Sequence, residues 1–253
     1  MFTMEWRARI QIIYKQFLTL LGQCDLCGNT LFDKSLAESN LLIHPLLCVS
    51  CYAQLPLFKQ TLIQADLLNW PAINRALPKI SFDHLFCLSP YLLPFTHWLV
   101  QLKYQGRFEL ATLFANLLAQ QWQAHKSVGA SLPVDLVLSV PLHISKWQVR
   151  GFNQAHLIAK PFAKQLQLPY DNSALIRVKK NLSQVGKTGI QRRNSLTKAF
   201  ELAKDLPKHV KHIVLIDDVM TTGSTASEIS KLLKHNGVDR VTVITVCLTL
   251  PNT

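Results

Sequence analysis

Residues 213–226, IVLIDDVMTTGSTA, restrict the fold more than any other stretch. Four aliphatic residues in a row predict a strand buried on both faces, the kind found in parallel sheets with helices on either side. Two acids, Asp217 and Asp218, follow at its carboxyl end, beyond which such sheets take their ligands. The next residues lead into a helix predicted to begin near Thr225 and to close at Gly237. Thr221, Thr222, Gly223, Ser224 and Thr225 therefore offer hydroxyls and free backbone N–H groups at a helix N-terminus, an arrangement that binds phosphate. Gly223 allows close backbone approach. The acids cannot bind phosphate themselves but suit the vicinal hydroxyls of a sugar, or a divalent metal, beside it. The ligand so described is a phosphorylated ribose. No Lys follows the glycine, which excludes a Walker A loop, and the Rossmann G-x-G-x-x-G is absent. The plain alternative is a strand-to-helix turn capped by Ser or Thr.

The surrounding pattern agrees. FDHLFCLS reads as a strand, FTHWLVQLKYQG and RFELATLFANLLAQQW as helices, and VDLVLSV as a buried strand ending at Pro141. A helix over about 152–167, a short strand near ALIRV and a final strand RVTVITVCL complete the alternation. The fold class this predicts for residues 81–253 is α/β, a mainly parallel sheet flanked by helices. Residues 59–80, near Pro56, Pro71 and Pro78, read as a linker with one short helical piece. Residues 1–58 read as an N-terminal helix and a small cysteine module.

That module carries two C-x-x-C pairs, Cys24/Cys27 and Cys48/Cys51, with twenty residues between them. The spacing matches a zinc site of four cysteines, closed and hence structural. Two disulfides are the competing reading, disfavoured in a cytosolic chain. A thioredoxin-like pair fails because neither motif opens a helix within a βαβ pattern. Cys87 and Cys247, in apolar surroundings, read as core residues.

No secretory signal is evident, since Arg7, Arg9 and Lys15 interrupt the N-terminal apolar residues. Trp6, Ile10, Ile13, Phe17 and Leu21 fall at helical spacing, predicting an amphipathic helix. Pro90, Pro94 and His97 break the most apolar stretch, so no transmembrane segment is expected. The expected location is cytoplasmic, with peripheral contact at the inner face of the membrane open to the N-terminal helix. The net charge is +12, and between Asp135 and Glu201 eleven Lys and Arg face the single acid Asp171. Such a face attracts phosphorylated ligands or polyanions.

The segment at 213–226 resembles the signature of the type I phosphoribosyltransferases, whose loop holds the 5-phosphate of phosphoribosyl pyrophosphate (PRPP). LKYQGRFELA, VPLHISKWQVRGFNQAHLIA and RRNSLTKAF, together with the paired C-x-x-C motifs, resemble the ComF family of competence proteins. Departures from that family's pattern fall at Lys146, Asn181 and Ser195. The resemblance implies that PRPP binds with magnesium, through Asp217, Asp218, Val219, Met220 and the loop Thr221 to Thr225, with the pyrophosphate at Pro141 and Leu142. Candidate cations for the pyrophosphate are Lys103, Arg107, Arg150, Lys187, Arg192 and Arg193, and SQVGKTGIQRRN reads as a loop able to close over the site. With Asp217 and Asp218, Lys103 and Arg150 are the candidate catalytic residues.

Two functions follow. In the first the chain is a phosphoribosyltransferase of unspecified acceptor, acting in natural competence and uptake of transforming DNA. In the second it is a non-catalytic protein of the uptake machinery, binding single-stranded DNA on its basic face or acting as an adaptor, with PRPP as regulator. The zinc module would then dock a DNA-uptake or replication protein. Trp147, Phe152 and Phe162 are the aromatic residues considered for stacking in the basic stretch, too few to favour that mode.

Overall fold

The structure is a computed structural model and describes residues 22–31, 46–59, 66–77, 79–126, 133–142, 144–178 and 199–249. The chain divides into two compact units, Met1–Pro56 and Leu57–Thr253. The N-terminal helix expected at residues 6–21 lies outside the described residues.

In the first unit the backbone turns tightly at each cysteine pair. Gly28 N–H donates to Cys24 O at 2.8 Å and Cys24 N–H to Asn29 O at 2.7 Å. Gly28 takes a φ of 72°, a left-handed value that glycine adopts without steric cost. The second pair opens helix α1 (Val49–Ala53), with Cys48 as N-cap and its Sγ accepting from the Cys51 N–H at 3.4 Å.

The second unit is built on five parallel strands. In chain order they are β1 (His84–Pro90), β2 (Leu136–Ser139), β3 (Tyr170–Asp171), β6 (His212–Met220) and β7 (Arg240–Leu248), arranged β1-β7-β6-β2-β3. Strands β4 (Leu175–Arg177) and β5 (Phe200–Leu202) form a separate antiparallel pair. The helices are α2 (Pro71–Ala76), α3 (Phe95–Tyr104), α4 (Glu109–Lys126), α5 (Ile144–Arg150), α6 (Gln154–Gln165) and α7 (Ser224–His235). On one face of the sheet Leu85, Leu138, Ile213, Leu215 and Val243 pack with Ala226, Ile229 and Leu233 of α7. Their neighbours Phe86, Val137, Val214, Ile216 and Ile244 are fully buried, as strand alternation requires when both faces are covered. Phe86 meets Trp122 of α4 edge-on, with ring centroids 5.5 Å apart.

Residues 59–80, expected as a linker, contribute to this core where they are described. Leu67 sits on a 3-10 turn (Leu67–Asn69), and Ile73 and Leu77 lie in and just after α2. Pro71 is the first residue of α2, the short helical piece expected in this stretch, where its missing N–H costs nothing.

The strand order contains one reversal. From β2 the chain crosses to β3 on one side, and from β6 it crosses to β7 on the other, so β2 and β6 flank the switch point. The strands that flank it end at different heights. Strand β2 stops at Ser139, paired with Ile216, while β6 continues to Met220 paired with Leu248 of β7. The expected strand 213–216 is thus longer, and both acids lie within it, because its partner on the β7 side runs on.

Asp171, at the end of β3, accepts from Ser173 N–H and Oγ at 2.7 Å each, from Ala174 N–H at 3.0 Å, and pairs with Lys204 Nζ at 2.7 Å. Burial raises its pKa, but Lys204, Ser173 and the two amides outweigh that and hold the carboxyl far below the usual range. A lowered folded-state pKa adds stability above the unfolded-state value of about 4 and loses it as pH falls below that value. Asp171→Asn is therefore expected to cost about 1–2 kcal/mol at pH 7, the worth of bonds to a charged acceptor discounted for the exposed Lys204. Urea midpoints should converge with the parent as the pH is lowered through the carboxylate range. A gap that stays constant with pH would contradict this.

Candidate functional site

The acid pair sits where β6 outruns β2. Asp218 N–H donates to Asp217 Oδ1 at 2.8 Å and Val219 N–H to Asp218 Oδ1 at 2.9 Å, so each carboxylate folds back on the next amide. Lys103, in the last turn of α3, reaches Asp218 Oδ2 at 2.5 Å with both side chains largely buried. Burial pushes the Asp217 carboxyl well above the ordinary range, the neighbouring Asp218 charge adds to the rise, and the Asp218 amide and Lys103 offset only part of it.

Gly223 is the N-cap of α7 at φ 68°, which makes glycine the residue of choice there. The helix begins at Ser224, one residue earlier than expected, and Thr222 Oγ1 and Ser224 Oγ lie 2.9 Å apart. Across the crevice, the turn after β2 is held by Asn153. Its Nδ2 donates to Val140 O at 3.0 Å, while its Oδ1 caps α6 by accepting from Ala155 N–H at 3.1 Å.

One cavity of about 440 Å³ gathers Asp217, Asp218, Val219, Thr221, Thr225, Pro141, Leu142, Lys103 and Arg150. All four candidate catalytic side chains line it. Thr222 instead borders an adjoining cavity of about 250 Å³ that is floored by Ile73, Leu77 and Leu248, and Thr221 and Thr249 border both. Neither cavity is lined by Met220, Gly223 or Ser224. Met220 is buried, with its carbonyl accepting from Thr249 N–H at 2.9 Å. Arg107 is tied to Glu109 at 2.8 Å and Gln101 at 3.0 Å, away from the cavity lining. Lys187, Arg192, Arg193 and the loop around them lie outside the described residues.

Sequence reading passed over Tyr91, Asn153, Gln154, Arg177 and Thr249, which also line the larger cavity. Arg177 occupies a three-residue strand, too short to show periodicity. Asn153 stands in the quoted RGFNQA segment, and an Asn directly ahead of a helix is an N-cap signal.

In the first unit the Sγ atoms of Cys24, Cys27, Cys48 and Cys51 all lie within 4.8 Å of one another and could hold a metal ion. Tetrahedral zinc with sulfur at about 2.3 Å separates its ligands by about 3.8 Å, and Cys27 and Cys48 are 3.8 Å apart. Burial raises the Cys24 pKa, but the amides of Cys48, Cys27 and Leu26 outweigh it and bring the thiol down to about 6, as suits a thiolate ligand. None of these cysteines forms a disulfide. Cys87 and Cys247 are buried in the core of the second unit.

Among the described residues no helix is long and apolar enough to cross a membrane. Residues 173–251 match the family described as uracil phosphoribosyltransferase. Among solved structures, the B. subtilis glutamine PRPP amidotransferase complexed with ADP and GMP is 19% identical, covering 53% of this chain and 25% of that one with a TM-score of 0.36. Adenine phosphoribosyltransferase from Trypanosoma brucei is 15% identical, covering 56% and 53% with a TM-score of 0.33. Competence protein F of Haemophilus influenzae is 34% identical over 167 residues, 64% of this chain and 72% of that one. DNA utilization protein YhgH of Salmonella typhimurium is 34% identical over 241 residues, 92% of this chain and 100% of that one. Likeness sustained over so much of both chains, joined to the paired C-x-x-C cluster, makes this chain a member of the ComF family.

Proposed function

We propose that the crevice between β2 and β6 binds PRPP with magnesium, that the four-cysteine cluster holds a structural zinc, and that the protein acts in the uptake and use of DNA. The observation that carries the ligand reading is the single cavity in which an acid pair, Thr221 and Thr225 of the loop and three cations, Lys103, Arg150 and Arg177, converge. In this reading the N-terminus of α7 takes the 5-phosphate through its free N–H groups. Asp217 and Asp218 orient the ribose through its hydroxyls. The turn at Pro141 and Leu142 meets the pyrophosphate, and Lys103 and Arg150 balance its charge. Carboxylate oxygens are donors of the kind magnesium accepts, and the ion, when bound, neutralises pyrophosphate as a leaving group. The names of the relatives, DNA utilization protein and competence protein, support the assignment of process.

Calorimetry with PRPP and magnesium tests the reading, followed by incubation with a panel of bases while pyrophosphate is monitored. Magnesium-dependent binding at about one site per chain is expected. Binding without pyrophosphate release from any base assigns PRPP a regulatory role; no binding at all overturns the ligand assignment.

A further inference from the structure

Gln154, the first residue of α6, is 2% exposed and lines the larger cavity. Its Oε1 accepts from Arg150 Nη1 at 3.3 Å, while its Nε2 is shielded from solvent and has no hydrogen-bond partner among the described residues. The contact with Arg150 fixes which end of the carboxamide is which. Turned over, it would set NH2 donors against a guanidinium that can only donate. Protein interiors leave few such donors unpaired, because each has given up water for nothing in return. A glutamine at the first position of a helix could as well point outward, fully hydrated. This one is held inside, on the wall of the crevice, with a donor unused.

The surroundings specify what would use it. A guanidinium, a carboxamide NH2 and the positive end of a 12-residue helix stand together, so their complement is an anionic oxygen. The place along the ligand is also set. Asn153, next to Gln154, ties the start of α6 to the turn after β2 by donating to Val140 O. The N-terminus of α7, with Thr225, belongs to the β6 side of the same cavity. Gln154 therefore stands at the end of the crevice assigned to pyrophosphate, not at the end assigned to the 5-phosphate.

We propose that Gln154 is a specificity-determining residue of the crevice, its Nε2 donating to an oxygen of the pyrophosphate group. The site then takes a sugar carrying anions at both ends, one at α7 and one at α6, in preference to a sugar 5-phosphate alone. The identity of that sugar ligand rests on the PRPP reading; the anion subsite at α6 does not.

Calorimetry in the presence of magnesium, with PRPP, inorganic pyrophosphate and ribose 5-phosphate as probes, tests this on Gln154→Leu and Gln154→Glu. Leucine keeps the bulk and drops the donor; glutamate keeps an acceptor for Arg150 and replaces the donor by a charge that repels anions. Gln154→Leu is expected to weaken PRPP and pyrophosphate about ten- to a hundredfold, the range for one lost hydrogen bond to a charged acceptor, and Gln154→Glu by more. Ribose 5-phosphate should bind both variants as it binds the parent. Without ligand, Gln154→Leu should melt no lower than the parent, since an unpaired buried donor is removed and Arg150, partly exposed, turns to water. A lower melting temperature with all three probes weakened alike would mark a structural residue and overturn the proposal. Unchanged PRPP and pyrophosphate affinity in both variants would overturn it too. If the parent binds pyrophosphate through Gln154 but does not bind PRPP, the subsite stands and the PRPP reading falls. If the parent binds PRPP and both variants match it, the reverse holds, and a parent that binds neither probe overturns both.

Discussion

A strong chelator is expected to unfold the cysteine module while the second unit keeps its fold. Structural zinc contributes about 10–16 kcal/mol to modules of this kind, and binding and folding occur together. No comparable source of stability is available to a module this small, which cannot bury a large core. The second unit has a core of its own, from Leu85 on β1 to Leu233 on α7, that contains none of the four ligands. Metal analysis of protein kept reduced should give about one zinc per chain, and chelation should make the module sensitive to protease before the rest. Substitution of Cys24→Ser should mimic chelation. Much less than one equivalent of zinc, or a chelated protein as protease-resistant as the parent, would count against the site.

The second large effect is expected at the acid pair. Asp217→Asn with Asp218→Asn keeps the shapes but removes both anionic acceptors, and hydrogen bonds to charged groups are worth about 1.5–3 kcal/mol each. PRPP affinity should fall at least a hundredfold. Two consequences work against that loss. Lys103, released from Asp218, is freed to draw pyrophosphate, and relief of the crowding that raises the Asp217 pKa favours the folded chain. Lys103 meets only the pyrophosphate end of the ligand, whereas both acids serve the ribose, so the lost ribose contacts are expected to win. Free pyrophosphate should bind the double variant as well as the parent or better. Unchanged PRPP affinity would remove Asp217 and Asp218 from the ribose.

What could be read from the sequence was what neighbours in sequence decide. The aliphatic run before Asp217 identifies a buried strand whatever surrounds it, and each C-x-x-C pair presents two thiols from one turn. The parallel sheet followed from alternation alone. Features fixed by distant partners were not legible. Strand β6 reaches Met220 because β7 runs beside it to Leu248. Strand β3 has two residues and β4 and β5 three each, too few for any period. The prolines near residues 59–80 concealed the packing of Leu67, Ile73 and Leu77, whose burial depends on the sheet they cover. Of the loop and the acid pair, Asp217, Asp218, Val219, Thr221 and Thr225 line the larger cavity while Met220, Thr222, Gly223 and Ser224 do not, and Arg177 and Asn153 enter it through tertiary placement.

The crevice owes its existence to unequal strand lengths, and this bears on how such a protein can change over evolutionary time. A notch formed because β2 stops at Ser139 while β6 goes on to Met220 is a property of the backbone. Replacing Asp217, Asp218 or Lys103 alters what the notch does without filling it, since Asn153 and the β6–β7 ladder still hold its walls apart. Closing it would require extending β2 and displacing the turn at Pro141. Under the proposed function, point changes there would convert a catalyst into a ligand-gated binder, or the reverse, with the scaffold intact.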